Sequence, residues 1–140
     1  MFTHDGVPLA KTGVQVPAGT IETGETAEHA AVRELFEQTG RTGMVVQALG
    51  RERYDLRPVR DEIAVRHFFL MALPEEDIAE RWRAGGRFRS DDGGAVSWTC
   101  WWLPLEDAHV LAAGLGAQVG AAAASLTPPR SGKRHRPATA

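Results

Sequence analysis

Residues 19–41 read GTIETGETAEHAAVRELFEQTGR, and this stretch decides how the rest of the chain is interpreted. Residues 19–25 contain two glycines and several polar side chains, which predicts a loop. From Thr26 onward the apolar residues recur at helical spacing, and Thr26 is placed to cap the start of a helix. Gly40 is placed to end that helix in the left-handed conformation. The sequence therefore predicts a helix from about Thr26 to Thr39, joined directly to a glycine-containing loop.

One face of this predicted helix carries the side chains that could support catalysis. Glu34, Glu37 and Gln38 are spaced at i, i+3 and i+4, so they project from the same side. The two carboxylates repel each other, and a divalent cation that prefers oxygen ligands, such as Mg²⁺ or Mn²⁺, would offset that repulsion. Glu25 either joins this group or holds Arg33 in place. Such carboxylates beside an anion-favouring loop suit phosphate ester or anhydride chemistry, although Glu-x-x-Glu alone is more often a solvated helix face.

The complete spacing resembles the Nudix box. That pattern is Gly, five residues, Glu, seven residues, Arg-Glu, an aliphatic residue, any residue, Glu-Glu, any residue, Gly and an aliphatic residue. The positions that match in register are Gly19, Glu25, Arg33, Glu34, Leu35, Glu37 and Gly40. The resemblance implies an α/β fold, namely an α/β/α sandwich with helices on both faces of a mixed central sheet.

The resemblance also implies a role for each of these positions. Catalysis would rest on Glu34, Glu37 and Arg33, with Arg33 orienting Glu34 and Glu25 pairing with Arg33. A Mg²⁺ or Mn²⁺ ion would be bound by Ala18 (through its carbonyl), Gly19, Glu34, Glu37 and Gln38. Family members cleave nucleoside diphosphates linked to another group. The implied function is therefore metal-dependent hydrolysis of a pyrophosphate bond by attack of water on phosphorus.

Three features depart from the family pattern. Gln38 stands where the family carries a second adjacent Glu, so this position offers a carbonyl ligand but no charge. Arg41 replaces the final aliphatic residue, and its stem either covers apolar surface or its head pairs with Glu37 in competition with the metal. Only 18 residues precede Gly19, which raises the alternative that the first strand of the fold is missing. These departures support a second hypothesis, a catalytically weakened Nudix-fold module that binds a nucleotide or a protein.

Several residues outside the box are candidates for contacts with the substrate. We expect Arg51, Arg53 and Arg66 to be available for phosphates, because arginine binds phosphate through two parallel hydrogen bonds. Asp91 and Asp92 lie in a predicted loop where family enzymes often recruit a further acid, and Glu62 is the alternative to them.

The aromatic residues have two interpretations. Tyr54, Trp98, Trp101 and Trp102 either stack on a nucleotide base or belong to the core. His67, which lies in a predicted strand, is interpreted as a core histidine rather than a catalytic base.

The remaining segments give a coarse prediction of secondary structure. We predict a turn at Thr3–Gly6, strands at Val14–Val16, Gly43–Tyr54, Ile63–Leu73 and Ala95–Leu103, helices at 75–84 and Leu105–Leu126, and a flexible loop at 85–94.

Size and composition indicate one domain. The 140 residues suit a single hydrophobic core at 1–126, followed by a basic tail at 127–140 that is expected to be disordered. A net charge of −2 gives no general attraction to nucleic acid or to an acidic membrane. The sequence shows no apolar run long enough to span a bilayer and no secretory signal, and Cys100 is the single cysteine. We therefore expect a cytoplasmic protein with a small nucleotide substrate and no specific nucleic-acid or membrane partner, acting alone or as a homodimer.

Overall fold

The computed structural model describes residues 1–89 and 93–127. In chain order the elements are β1 (Phe2–His4), α1 (Leu9–Thr12), α2 (Ala27–Thr39), β2 (Met44–Asp55), β3 (Ile63–Ala72), β4 (Arg81–Arg89), β5 (Ala95–Trp101), a 3-10 helix (Leu105–Val110) and α3 (Val119–Leu126). This combination of helices and strands confirms the predicted α/β class. In the described residues, no helix is long and apolar enough to cross a membrane.

The strands form two antiparallel sheets, in the order β1-β5-β4 and as the hairpin β2-β3. In the first sheet, Cys100 of β5 lies between Phe2 of β1 and Trp82 of β4. Phe2, Trp98 and Cys100 are buried there as the centre of the core. Within the described residues, parallel pairing is limited to the isolated bridge between Val14 and Leu111.

Helix α2 forms as its local sequence predicts. The hydroxyl of Thr26 accepts a hydrogen bond from the backbone N–H of His29 at 3.2 Å, which satisfies one of the free donors at the helix start. Gly40 adopts a left-handed conformation (φ 71°) and its N–H binds the carbonyl of Phe36. Leu35 is buried on the inner side of the helix. The opposite side of α2 is therefore free to carry charged groups.

The predicted turn at Thr3–Gly6 is wrong in its first two residues. Phe2–His4 form strand β1, because Phe2 is buried against Trp98 and all three residues pair in register with β5. The turn begins two residues later, at Asp5. A strand therefore does precede the loop at 17–25.

The predicted helix at 75–84 is also wrong. Asp77 instead forms a turn, in which its side chain accepts the N–H of Ala79 and its carbonyl accepts the N–H of Glu80. Strand β4 then starts at Arg81, with exposure alternating along its first four residues as a strand requires. The loop predicted at 85–94 is accordingly strand up to Arg89. At Gly85 (φ 90°) the pairing with β5 becomes irregular.

The single helix predicted for Leu105–Leu126 is divided in two. Leu111 is extended and pairs with Val14, and the next turn places Ala113 (φ 53°) and Gly114 (φ 72°) in the left-handed region. A continuous helix cannot pass through these conformations. The predicted tail lies almost entirely outside the described residues, which end at 127.

Candidate active site

Arg33 is the centre of the polar site formed by α2 and the preceding loop. Its Nε and Nη2 atoms donate to the two carboxylate oxygens of Glu25 at 2.9 and 3.0 Å, which is the bidentate geometry that arginine favours. These hydrogen bonds, followed by one from the N–H of Glu22, hold the pKa of Glu25 below its usual value. The expected pairing of Glu25 with Arg33 is present in the structure, and it anchors the loop to the helix.

The same guanidinium gathers the helix carboxylates. Nη1 of Arg33 donates to Oε1 of Glu34 at 2.9 Å and to Oε2 of Glu37 at 3.1 Å, while Nη2 reaches the carbonyl of Thr20 at 3.0 Å. These carboxylates, Glu25 first, raise the pKa of Arg33 above its usual value. All five N–H groups of the guanidinium therefore have acceptors on the protein. Arg33 accordingly positions carboxylates and has no donor left for a phosphate.

Gly19 permits the close approach of the loop to Glu34. A Cβ atom at this position would lie 1.7 Å from Oε1 of Glu34. No side chain larger than hydrogen fits at that separation. The requirement for glycine is therefore steric and comes from the carboxylate itself.

Gln38 connects the loop to the helix a second time. Its Nε2 atom donates to the carbonyl of Ala18 at 2.6 Å and to Oε2 of Glu34 at 2.7 Å, and its Oε1 atom accepts the N–H of Ala18 at 3.1 Å. This network fixes the orientation of the amide, because the reversed amide would place an oxygen against two other oxygens. Both oxygens of Glu34 are thus hydrogen-bonded, one by Arg33 and the other by Gln38.

The oxygen atoms at this site are chemically suited to bind a hard cation, but the side chain of Gln38 lies between them. The carbonyl of Ala18 and a carboxylate oxygen of Glu34 converge on one point, as oxygen ligands do around Mg²⁺. That point is taken by the Gln38 amide nitrogen. In the described part of the chain, no three His, Cys, Asp or Glu side chains are grouped as metal ligands. The Gln38 amide therefore lies at the point where the oxygens of Ala18 and Glu34 converge.

The C-terminal end of α2 is fixed by tryptophans from the larger sheet. Nε1 of Trp82 donates to the carbonyl of Thr39 at 2.8 Å, and Nε1 of Trp98 donates to the carbonyl of Gln38. Trp98 is only 5% exposed. It takes the core role rather than the base-stacking role. Neither indole contact was predicted from the sequence, which gives no indication of which carbonyls a distant tryptophan will reach.

Arg41 does not pair with Glu37, so the predicted competition with a metal at that residue is wrong. Its guanidinium binds Glu76 at 3.2 Å and Glu80 at 2.6 Å, and lies 4.6 Å from the ring centroid of Trp82. The left-handed residue at Gly40 ends the helix and turns the chain away from the carboxylate face. Arg41 therefore supports the contact between α2 and the start of β4.

The predicted phosphate-binding arginines lie apart from this site. Arg51 lines a cleft of about 400 Å³ together with Glu28 at the start of α2 and the stacked rings of His67 and Phe69. Arg53 is exposed on β2. Arg66 donates to the carbonyl of Ala113 at 2.7 Å and covers the ring of Tyr54. Among the described contacts, none of the three arginines pairs with a carboxylate of the Arg33 network.

The other candidates are less informative. Asp91 and Asp92 lie outside the described residues. Glu62 is exposed and its carbonyl accepts the N–H of Leu56. The phenol of Tyr54 donates to the carbonyl of Gly114 at 3.2 Å, and the Trp102 ring lies beside Trp82.

Comparison with known proteins agrees with this geometry. Residues 5–122 match the NUDIX domain family. The chain is similar to the RNA pyrophosphohydrolase of Sphingopyxis alaskensis, with 36% identity over 64% of this chain and 47% of that protein. It is also similar to the RNA pyrophosphohydrolase of Shewanella baltica, with 31% identity over 65% of this chain and 58% of that protein. The ADP-ribose pyrophosphatase of Bacillus subtilis is 54% identical over 25% of this chain and 19% of that protein. The chain thus spans about three fifths or less of the length of these relatives. Because the family match covers most of the sequence, the chain belongs to the Nudix family.

Proposed function

We propose that this protein is a metal-dependent hydrolase that cleaves a pyrophosphate bond in a nucleoside-diphosphate-linked substrate. The observation that carries the proposal is the Arg33 network, which gathers three carboxylates and a glycine-containing loop at one face of α2. Family membership supports the same chemistry, and so do the relatives, which are named pyrophosphohydrolase or pyrophosphatase.

The charges of the network explain why this face would attract a divalent cation. Glu25, Glu34 and Glu37 carry three negative charges and Arg33 carries one positive charge, which leaves an excess of two negative charges. A bound Mg²⁺ or Mn²⁺ would supply positive charge to neutralise the phosphate oxygens during cleavage. Its ligands would be oxygens of Ala18, Glu34 and Glu37. Gly19 would allow the loop carbonyl to approach them.

The two helix carboxylates differ in availability. Glu37 has one contact with Arg33 and its side chain is 38% exposed, whereas Glu34 is 13% exposed and is hydrogen-bonded through both oxygens. Glu37 is therefore the better candidate for a direct contact with solvent-borne ligands. Glu34 would act once Gln38 has released one of its oxygens, either as a ligand or by positioning the attacking water.

For the remainder of the substrate, the cleft at Arg51 is the favoured location. It combines a cation with the parallel rings of His67 and Phe69, and it borders the helix that carries the carboxylates. Phosphate and a planar base are the groups that such side chains bind. Arg53, Arg66, Asp91 and Asp92 stay predictions as substrate contacts.

A second candidate function is a module that binds a nucleotide or a protein without turning it over. The observation that favours it is the amide of Gln38, which holds the carbonyl of Ala18 and Glu34 where a ligand set would otherwise be open. In this case nucleotide would bind but the bond would not be cleaved.

A substrate panel distinguishes the two functions. The full chain is incubated with Mg²⁺ or Mn²⁺ and nucleoside di- and triphosphates, nucleotide sugars, dinucleoside polyphosphates and 5′-triphosphorylated RNA. Reaction in ¹⁸O-labelled water should place the label in a phosphate group of the product, since water attacks phosphorus. Nucleotide binding without turnover, including in a Gln38→Glu variant, would instead support the binding module. Label found only on carbon would contradict attack on phosphorus.

Matched variants connect turnover to the site. Glu34→Gln should reduce turnover by about 100-fold or more, because it removes a charge that the reaction needs. Glu75→Gln makes the same chemical change at an exposed position outside the network and should leave turnover unchanged. Equal activity of the two variants would remove Glu34 from the proposed machinery.

A further inference from the structure

The amide of Gln38 lies where the oxygens of two different segments meet. Ala18 belongs to the loop and Glu34 to the helix, and both direct an oxygen at the same nitrogen, at 2.6 and 2.7 Å. The third hydrogen bond, from the N–H of Ala18 to Oε1 of Gln38, means that one side-chain amide binds both the backbone N–H and the backbone carbonyl of Ala18. The hydrogen-bond donor and the acceptor of the Gln38 side chain are thus both paired with the loop.

A carboxylate could not occupy this position in the same way. Glutamate offers acceptors only, so one of its oxygens would face the carbonyl of Ala18 and the carboxylate of Glu34 at the separation that the amide now spans. It would also raise the excess of negative charge in the Arg33 network from two to three. Glu34 is only 13% exposed, so water screens this repulsion incompletely. Glutamate here would therefore depend on a cation, whereas glutamine does not.

We infer that the Gln38 amide holds the loop closed onto α2 in the metal-free protein, and that a divalent cation uses Ala18 and Glu34 only by displacing it. Gln38 is thus a positioning residue that competes with the metal rather than a metal ligand. The part that concerns the cation rests on the proposed function. The closed loop itself rests only on the hydrogen bonds of Gln38.

The Gln38→Ala variant distinguishes competition with the metal from a role of Gln38 as a metal ligand. Gln38→Ala removes the competitor and adds no ligand, so Mn²⁺ should bind more tightly than to the wild type. If the carbonyl of Gln38 were instead a ligand, the same substitution should weaken binding. Gln38→Glu removes the amide donor and adds a charge, so it should bind Mn²⁺ most tightly of the three.

The experiment uses the full chain and Mn²⁺ alone, without substrate. In EDTA, both Gln38 variants should melt about 5 °C below the wild type, because each loses hydrogen bonds to the loop. In calorimetric titrations with Mn²⁺, Gln38→Ala should lower the dissociation constant by about tenfold, which corresponds to ~1.4 kcal/mol. Gln47→Ala and Gln47→Glu make the same changes at an exposed position of β2 and serve as matched controls.

The results separate this inference from the proposed function. Melting temperatures in EDTA equal to that of the wild type would overturn the closed loop, and weaker Mn²⁺ binding by Gln38→Ala would overturn the competition. Neither the melting temperature nor the Mn²⁺ affinity depends on turnover. If the variants behave as expected while no substrate is cleaved by the wild type or Gln38→Glu, the inference stands and the proposed hydrolase fails.

Discussion

The side of helix α2 that faces the loop and the C-terminal end of the helix are held by different kinds of contact. At the loop side, Arg33 and Gln38 bind carboxylates and peptide groups in a partly exposed polar network. At the C-terminal end, Trp82 and Trp98 donate indole N–H groups to the last carbonyls from within the core. The first network contains the groups suited to chemistry, and the second fixes the helix to the sheet. Substitutions on the loop side and at the C-terminal end should therefore affect different properties.

The largest expected effect on stability is at the buried end. Trp98→Ala should lower the free energy of unfolding by about 3–5 kcal/mol, because it empties a core position and leaves the carbonyl of Gln38 without its indole partner. Urea denaturation followed by circular dichroism measures this loss. Trp98→Phe keeps most of the apolar volume and loses the N–H, so it should cost about 1–2 kcal/mol. Equal losses for the two variants would contradict the separate contribution assigned to packing.

At the loop side the expected effect is on turnover. Arg33→Ala should reduce kcat/KM by about 10–100-fold, because the carboxylates lose the group that orients them. Its urea midpoint should change far less than that of Trp98→Ala. Arg60→Ala removes an exposed arginine that lies outside the proposed site and serves as the control for lost positive charge. A collapse in stability without loss of specific activity would contradict the division between the loop side and the C-terminal end.

Arg41 offers an intermediate test, because it lies just beyond the C-terminal end and is partly exposed. Arg41→Ala should lower the free energy of unfolding by about 1 kcal/mol, through loss of Glu76, Glu80 and the Trp82 ring. The loss should shrink in high salt, which screens the ion pairs but not the ring contact. Unfolding of wild type and Arg60→Ala at low and high salt gives the comparison. Altered Mn²⁺ binding in Arg41→Ala would contradict its separation from the site.

The smallest expected effect is a dependence of the melting temperature on pH, which only the contacts on the loop side should show. The pKa of Glu25 is lowered in the folded protein by Arg33, so its stabilisation is complete above the unfolded pKa of about 4 and is lost as the pH falls through the lower folded value. The difference in melting temperature between the wild type and Glu25→Gln should accordingly vanish in acid. The difference for Trp98→Phe should persist, since neither the indole nor the carbonyl titrates. A difference in melting temperature between the wild type and Glu25→Gln that stays constant with pH would contradict the pairing of Glu25 with Arg33.

The same contrast separates what the sequence predicts from what it does not. Helix α2 and its caps at Thr26 and Gly40 follow from local spacing, whereas the pairing of Glu25 with Arg33 is implied by the resemblance to the Nudix box. Strand β4 was missed because Asp77 begins a turn that the helical spacing of this segment does not reveal. The break at Ala113 and Gly114 was missed because small residues fit a helix and a turn equally well.

The contacts of Gln38 show most clearly what local sequence spacing can and cannot predict. Its spacing from Glu34 places the two side chains together on one helix face, and this was predicted. Its second partner, Ala18, lies twenty residues earlier in the chain, so the contact depends on the path of the loop. The indoles of Trp82 and Trp98 depend in the same way on the packing of a distant sheet.

The most direct test of the central claim is kcat/KM of Glu37→Gln on the best substrate from the panel, measured beside the melting temperature of the same preparation. The account predicts a protein that melts within about 3 °C of the wild type. It also predicts a loss of at least about 100-fold in kcat/KM, because Glu37 is the most accessible carboxylate of the Arg33 network. A folded Glu37→Gln protein with wild-type kcat/KM would contradict the assignment of catalysis to this face of α2.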